Sequence, residues 1–324
     1  MRQISTTVMG LAMVASLTAF PQTGLAQAAP KIAFLAGVVD ATYTPAQVAG
    51  LKEGTGGDIT VFNPDFDPST QLKQCQDAIT SQRYAAIVIT PLDNTAAVPC
   101  ARAAKEAGIP LIADGTAVGK DPNALAPQVD GVVGSVLYPP LTMGMLTWAE
   151  VKRACQGADA CKIILETSFL SDPLYSGAYA YIGEQAKGTN VKIVATYESQ
   201  YDPAQTTAKL RDILVANPDV KAIVFCNDPT ALAGIRVLAG LGMQDQVKSI
   251  AQGGTAAGAE AVSKGELFAT LAVLPKTTSR LEGEMALKAI KGQPIDPNGL
   301  DAFKIGKLQG AVTKANLDQF TAEW

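Results

Sequence analysis

The chain has 324 residues, 48% of them hydrophobic and 17% charged, which is enough for two modest domains, each with its own buried core. Its 26 basic and 30 acidic residues leave a formal net charge of −4 with no long basic run, which excludes an electrostatic surface for nucleic acid. There is no histidine, so histidine-based triads and bases are excluded; with no C-x-x-C pair, no ordinary zinc site remains either.

Residues 1–28 are expected to be a cleaved signal peptide. Arg2 supplies the positive start, Val8 to Phe20 form an apolar core of secretory length, and Ala26-Gln27-Ala28 fits the small-x-small cleavage rule. A membrane anchor would need ~20 apolar residues. Here Pro21, Gln22 and Thr23 end the run early, and no cysteine at the cleavage point offers a lipid anchor. Export into an oxidising compartment favours disulfides over metal binding for paired thiols. Cys155 and Cys161 flank the short loop "QGADA", and Cys75 and Cys100 lie in successive helical segments over one sheet face. Both pairs are expected to close, leaving Cys226 as a small buried strand residue.

Apolar strands then alternate with amphipathic helical stretches. "KIAFLAG" precedes a helix over Pro45 to Lys52, "DITVFN" one over Ser69 to Ser81 and "AAIVIT" one over Thr95 to Ala107; "IPLIAD" follows. The second half repeats the plan with "CKIILET", "VKIVATYE", "VKAIVFCN" and "VKSIAQ". This alternation predicts an α/β protein of two similar lobes, each a parallel sheet with helices on both faces. A short internal echo, Ala85 to Val98 against Lys221 to Gly234, points the same way.

No catalytic constellation stands out. There is no G-x-S-x-G elbow, "AGVVDATY" lacks G-x-G-x-x-G, and "GGTAAG" has the wrong spacing for a dinucleotide turn. Asp40, Asp114 and Glu166 fall at strand ends without the spacing of an acid/base pair. Neither enzymatic activity nor a cofactor is expected. One polar corner draws notice: Asp228 before Pro229 reads as a helix N-cap, while Asn227 sits at the carboxyl end of a strand, where open α/β sheets meet ligands.

Four segments carry a family resemblance: "IAFLAGVVDATYTPAQVAGLKEG", "ITPLDNTAAVPCARAAKEAGIPLIAD", "YDPAQTTAKLRDILVANPDVKAIVFCNDPTALAG" and "GELFATLAVLP". The mature chain resembles the ribose-binding-like periplasmic solute-binding proteins of ABC importers, which have the periplasmic binding protein type 1 fold. The resemblance implies a monomer in the periplasm that closes on a small-molecule ligand and presents the closed form to a membrane permease. It also implies a three-crossover hinge, with passages near Val136, Pro275 and Pro297. The amino-terminal lobe is then 29–136 plus 275–297, and the carboxy-terminal lobe 137–274 plus 298–324.

The same resemblance implies that Asn227 contacts ligand, that Tyr43 and Tyr201 stack on its apolar face, and that Asp114 lies in the neighbourhood of a binding aspartate, one residue out of register. Four polar anchors are replaced: the expected asparagine is Ala41, the arginine Leu174, the aspartate Gly253 and the glutamine Val273. Each change removes hydrogen-bonding capacity, so the ligand is expected to be sugar-like or less polar than a sugar, unless Thr44, Asp202 or Glu166 supply new partners. An Asn227 devoted to ligand would be removable with little loss of stability in the unliganded protein. Two other readings stay open: an exported sensory protein presenting ligand to a chemoreceptor or kinase, and an exported enzyme on the same lobes.

Overall fold

The computed structural model describes residues 29–324; the segment read as a signal peptide lies outside the described residues. In chain order the first part of the molecule runs β1 (Lys31–Leu35), α1 (Tyr43–Thr55), β2 (Asp58–Phe62), α2 (Pro68–Thr80), β3 (Ala86–Ile89), α3 (Val98–Glu106), β4 (Leu111–Gly115) and β5 (Val132–Leu137). The second part runs α4 (Pro140–Ala154), β6 (Cys161–Thr167), α5 (Pro173–Ala186), β7 (Val191–Glu198), α6 (Pro203–Ala216), β8 (Val220–Val224), α7 (Asp228–Gly240), β9 (Lys248–Gly253), α8 (Ala256–Lys264) and β10 (Ala269–Ala272). The chain finishes with α9 (Pro275–Ile290), β11 (Leu300–Asp301) and β12 (Ala311–Val312).

The strands form two sheets, ordered β11-β5-β4-β3-β1-β2 and β12-β10-β9-β8-β6-β7. Leaving out the two-residue edge strands, both read 2-1-3-4-5 within their own lobe, so the lobes share one topology. The strands that carry the sequence echo, β3 and β8, hold the same central place in each. All pairings are parallel except β10 with β12. Continuous apolar strands such as Ala86–Ile89, buried throughout, are what a parallel sheet covered on both faces requires.

After β10 the chain returns to the first lobe because α9 packs tightly along α1. Glycines make that approach possible: a Cβ on Gly50 would lie 2.2 Å from the Lys276 carbonyl oxygen, and one on Gly54 equally close to that of Arg280. The last passage between sheets comes later than expected. Leu300 and Asp301 still pair with Val136 and Leu137 of the first sheet, so the chain crosses between Asp301 and Ala311, beyond Pro297. One buried cluster runs through the hinge, joining Phe34, Leu51 and Val136 of the first lobe to Met143, Tyr175 and Leu271 of the second. Cys75 in α2 is bonded to Cys100 in α3, and Cys155 at the end of α4 to Cys161 at the start of β6, while Cys226 is free and buried.

Candidate functional site

The carboxyl ends of both sheets carry the loops that face one another, the usual place for a ligand in open α/β sheets. Rings from both lobes meet there. Phe66 follows β2 in the first lobe; its ring centroid is 5.1 Å from that of Phe169 and 6.5 Å from that of Tyr201, nearly parallel to the latter at 24°. Tyr43, the first residue of α1, meets Trp324 edge-on at 5.0 Å. Trp324 is fastened to the second lobe, its indole N–H donating to the Gly253 carbonyl (3.1 Å) and its own carbonyl accepting from the Ala256 N–H (2.9 Å).

Phe66 and Tyr201 occupy equivalent loops with a common construction. Asp65-Phe66-Asp67-Pro68 follows the second strand of one lobe, and Gln200-Tyr201-Asp202-Pro203 the second strand of the other. In each, the aromatic and the residue before it have positive φ: 52° and 59° in the first loop, 57° and 58° in the second. In each, the aspartate caps the next helix, Asp67 accepting from the Ser69 N–H (2.9 Å) and Asp202 from the Ala204 N–H (2.8 Å). Left-handed backbone at non-glycine residues costs about 1 kcal/mol or more apiece and persists where the surroundings enforce it, often at ligand clamps.

The residues picked out from sequence fall into three groups. Tyr43, Asp114, Tyr201 and Asn227 stand at the cleft edge of the sheets. Burial, then Tyr138 and Asp114, raises the Tyr43 hydroxyl pKa well above its usual range, with a contribution from Tyr201 of the opposite lobe. Asp114 Oδ2 accepts from Gln47 Nε2 at 2.9 Å and from the Thr90 hydroxyl, yet burial still raises its pKa. The Tyr201 hydroxyl points to Asp172 Oδ2 at 3.5 Å.

Leu174 and Val273 pack against the cluster that runs through the hinge. Gly253 has φ +146°, and a Cβ there would lie 2.8 Å from Asp228 Oδ2, so the aspartate the resemblance implies at this position has no room. The three replacement partners have structural work instead. Thr44 donates to the Val38 carbonyl (3.0 Å) and accepts from the Asp40 N–H (3.1 Å), fixing the loop before α1. Asp202 is the cap of α6 just described. Glu166 is fully buried within the second lobe, accepting from Tyr197 (2.5 Å), Thr206 (2.8 Å), and the Cys226 N–H (3.3 Å) and thiol (3.1 Å).

The polar corner after β8 needs a correction. The N-cap of α7 is Asn227, whose Oδ1 accepts from the Thr230 N–H at 2.8 Å. Asp228 turns inward, accepting from the Thr255 N–H (2.7 Å), the Thr255 hydroxyl (2.9 Å) and the Thr270 hydroxyl (2.6 Å). Burial nevertheless raises its pKa to about 6. The oxygen of Asn227 thus carries a structural load that leaves its amide nitrogen for other partners.

The sequence reading missed Phe66, Phe169, Trp324 and Glu282. Glu282, in the second turn of α9, is fully buried beside Asp114 and Ser279, the two carboxyls close enough to share a proton. Burial, then the charge of Asp114, raises its pKa well above the usual carboxylate range. The signal for Phe66 was legible: "DFDP" repeats "QYDP" at the same place in the other lobe.

A family model described as a periplasmic binding protein domain matches residues 32–294. The chain belongs to that family. Among characterised periplasmic binding proteins, the ribose import binding protein RbsB of Escherichia coli is 26% identical over 303 residues, 91% of this chain and 95% of RbsB. A solute-binding protein from Bacillus halodurans, solved with bound myo-inositol, superposes with a TM-score of 0.78 at 20% identity, covering 92% of this chain and 99% of that one. Another from Actinobacillus succinogenes, solved with D-allose, gives 0.77 at 21% identity, covering 90% and 100%. These likenesses establish the two-lobed periplasmic binding protein fold. Among the described residues no helix is long and apolar enough to cross a membrane.

Proposed function

We propose that the chain is the substrate-binding component of an ABC importer, exported by cleavage before Ala29 and working in the periplasm as a monomer. Its two lobes close on one small solute and present the closed form to a membrane permease. The observation that carries this reading is the meeting of Phe66 with Phe169 and Tyr201, rings from opposite lobes at the carboxyl edges of two sheets of identical strand order. A solute that touches both lobes favours the closed arrangement by its differential affinity for the two states, which is all a hinge needs. Tyr43, Asp114, Tyr201 and Asn227 are its proposed contacts, with Phe66 and Phe169 beside them.

The relatives' names point to ribose, allose and inositol as their own ligands. In this chain Leu174, Gly253 and Val273 offer no side-chain hydrogen bond, and Thr44, Asp202 and Glu166 spend theirs internally. A hexose buried here would lose about 1–3 kcal/mol for each hydroxyl left unmet. The solute is therefore less hydroxylated than a hexose and lies against aromatic rings. A thermal-shift panel tests this, since a ligand at a hundred times its dissociation constant stabilises by about 2.7 kcal/mol. Ribose, glucose and galactose should give little shift and less hydroxylated ring compounds more; a tight complex with an ordinary aldohexose would overturn the less polar cleft.

A further inference from the structure

The stretch after β12 is fastened to the second lobe and reaches back to the first. Asn316 Oδ1 accepts from the Thr313 N–H at 2.7 Å and its amide donates to the Ala311 carbonyl at 3.0 Å, closing the turn between them. Gly254 makes room for Phe320, since a Cβ there would lie 2.7 Å from its Cζ. The Gly253 carbonyl, already accepting from the Val273 N–H (3.2 Å), also takes the Trp324 indole N–H (3.1 Å). The Trp324 carbonyl in turn accepts from the Ala256 N–H (2.9 Å), one of the amides left free at the start of α8. Glu323, the neighbour of Trp324, serves α9 instead. That helix starts at Pro275 with no side-chain cap of its own, and the Glu323 carboxylate supplies one, accepting from the Thr277 N–H (2.9 Å) and the Thr277 hydroxyl. A carboxylate there also meets the positive end of the helix dipole.

α1 and α9 lie side by side in the same direction, Gly50 against Lys276 and Gly54 against Arg280. Tyr43 precedes Gly50 by about 10 Å of helix, whereas α9 begins at Pro275, next to Lys276, so the first turns of α1 overhang the start of α9. The overhang carries Tyr43 to Trp324, ring centroids 5.0 Å apart at 70°. Both rings are half-buried, one held by the first lobe and the other by the second. A rotation that parts the lobes separates these rings, while Thr277, beside the crossover from β10 to α9, stays near Glu323. From this geometry we infer that Glu323 and Trp324 form a clasp over that crossover, in which Trp324 positions the Tyr43 ring only while the lobes are together. An edge-to-face aromatic pair of ordinary strength shifts the balance of open and closed arrangements about two- to tenfold. The inference rests on the reading of Tyr43 as a solute contact, because a ring fixed on closure completes the wall against which the solute lies.

The test needs no solute. Trp148 and Trp324 are the two indoles of the chain, and Trp148 is buried in the core of the second lobe, so in Trp148→Phe the emission reports on Trp324 alone. Acrylamide quenching of that emission reads the contact, and small-angle scattering reads the separation of the lobes, both on mature protein that has been unfolded, dialysed and refolded. Adding Tyr43→Ala should expose Trp324 to the quencher and raise the ratio of open to closed molecules about two- to tenfold. Trp324→Ala should open the lobes to the same extent by scattering, and Glu323→Ala should also free the Trp324 ring. Tyr43→Phe and Trp324→Phe, which keep a ring on each side, should stay close to the parent protein. Circular dichroism checks that every variant is folded. Unchanged quenching in Tyr43→Ala, unchanged lobe separation once Trp324 is freed, or phenylalanine variants as open as the alanine ones would each overturn the clasp and leave solute binding standing. Failure of the binding reading would show separately, as a protein that yields no small molecule on denaturation.

Discussion

The two lobes bury acidic side chains in different ways. In the second lobe Asp228 accepts three hydrogen bonds and Glu166 four, all from groups of that same lobe. In the first lobe Asp114 accepts from Gln47 and Thr90, while Glu282 lies against it, carboxyl to carboxyl. Equal burial therefore does not mean equal function. Carboxylates enclosed by donors of their own lobe hold strands and helix starts together, whereas two buried carboxyls in contact must share a proton.

The largest effect should come from Asp228→Ala. It strands the Thr255 N–H and two threonine hydroxyls at the junction of β9, α8 and β10, and at about 1–3 kcal/mol for each unmet buried partner the loss should be at least about 3 kcal/mol. Urea unfolding measures it. A loss below 1 kcal/mol would dissolve the contrast between the lobes.

Next in size is a pH effect. Asp228 rises from 3.8 to about 6 in the fold, chiefly by burial, so the folded state holds its proton more tightly than the unfolded chain. Its contribution is fully present below pH 3.8 and is lost as pH rises through about 6, a change of about 3 kcal/mol at 1.36 kcal/mol per pH unit. Burial shifts Asp114 and Glu282 in the same direction. Unliganded protein should thus lose stability from pH 4 to 7, and Asp228→Asn should flatten that slope; a rising slope would contradict it.

Asn227→Ala sharpens the comparison at a smaller scale. With its oxygen capping α7, the substitution should cost about 1 kcal/mol in the unliganded protein, typical of a lost N-cap. This reverses what a purely ligand-directed asparagine would show. Unchanged unfolding with weakened binding would assign Asn227 to ligand alone. The smallest change is expected from Glu282→Gln, which replaces a carboxyl that burial and Asp114 hold in its protonated form by a neutral, near-isosteric amide that can still donate to Asp114. Its midpoint in the same urea titration should shift by less than about 1 kcal/mol in either direction, and a loss like that of Asp228→Ala would show Glu282 to be structural.

The architecture is legible because apolar strands alternate with helices, four of which, α2, α5, α6 and α7, start at an Asp-Pro pair. The disulfides are legible because an expected oxidising compartment leaves few alternatives for cysteines in adjacent elements. Other features leave weak traces. The last crossover depends on Leu300 and Asp301, an edge strand too short to show periodicity. Glu282 sits in a helix rich in Lys, Arg and Glu, where a buried acid looks like any solvated one. Trp324 reaches the cleft only through contacts distant in sequence, with Gly253 and Ala256. Asn227 and Asp228 are both good caps, and only the backbone geometry decides which one serves.

The most direct measurement is mass spectrometry of the small molecule released when the purified, secreted protein is denatured, compared with the same compound after prolonged incubation with fresh protein. Binding without chemistry predicts one dominant molecule, with fewer hydroxyls than a hexose, and recovered at unchanged mass. A product of altered mass would mark an enzyme, and the absence of any bound molecule, together with no response to the ligand panel, would contradict solute binding between the lobes.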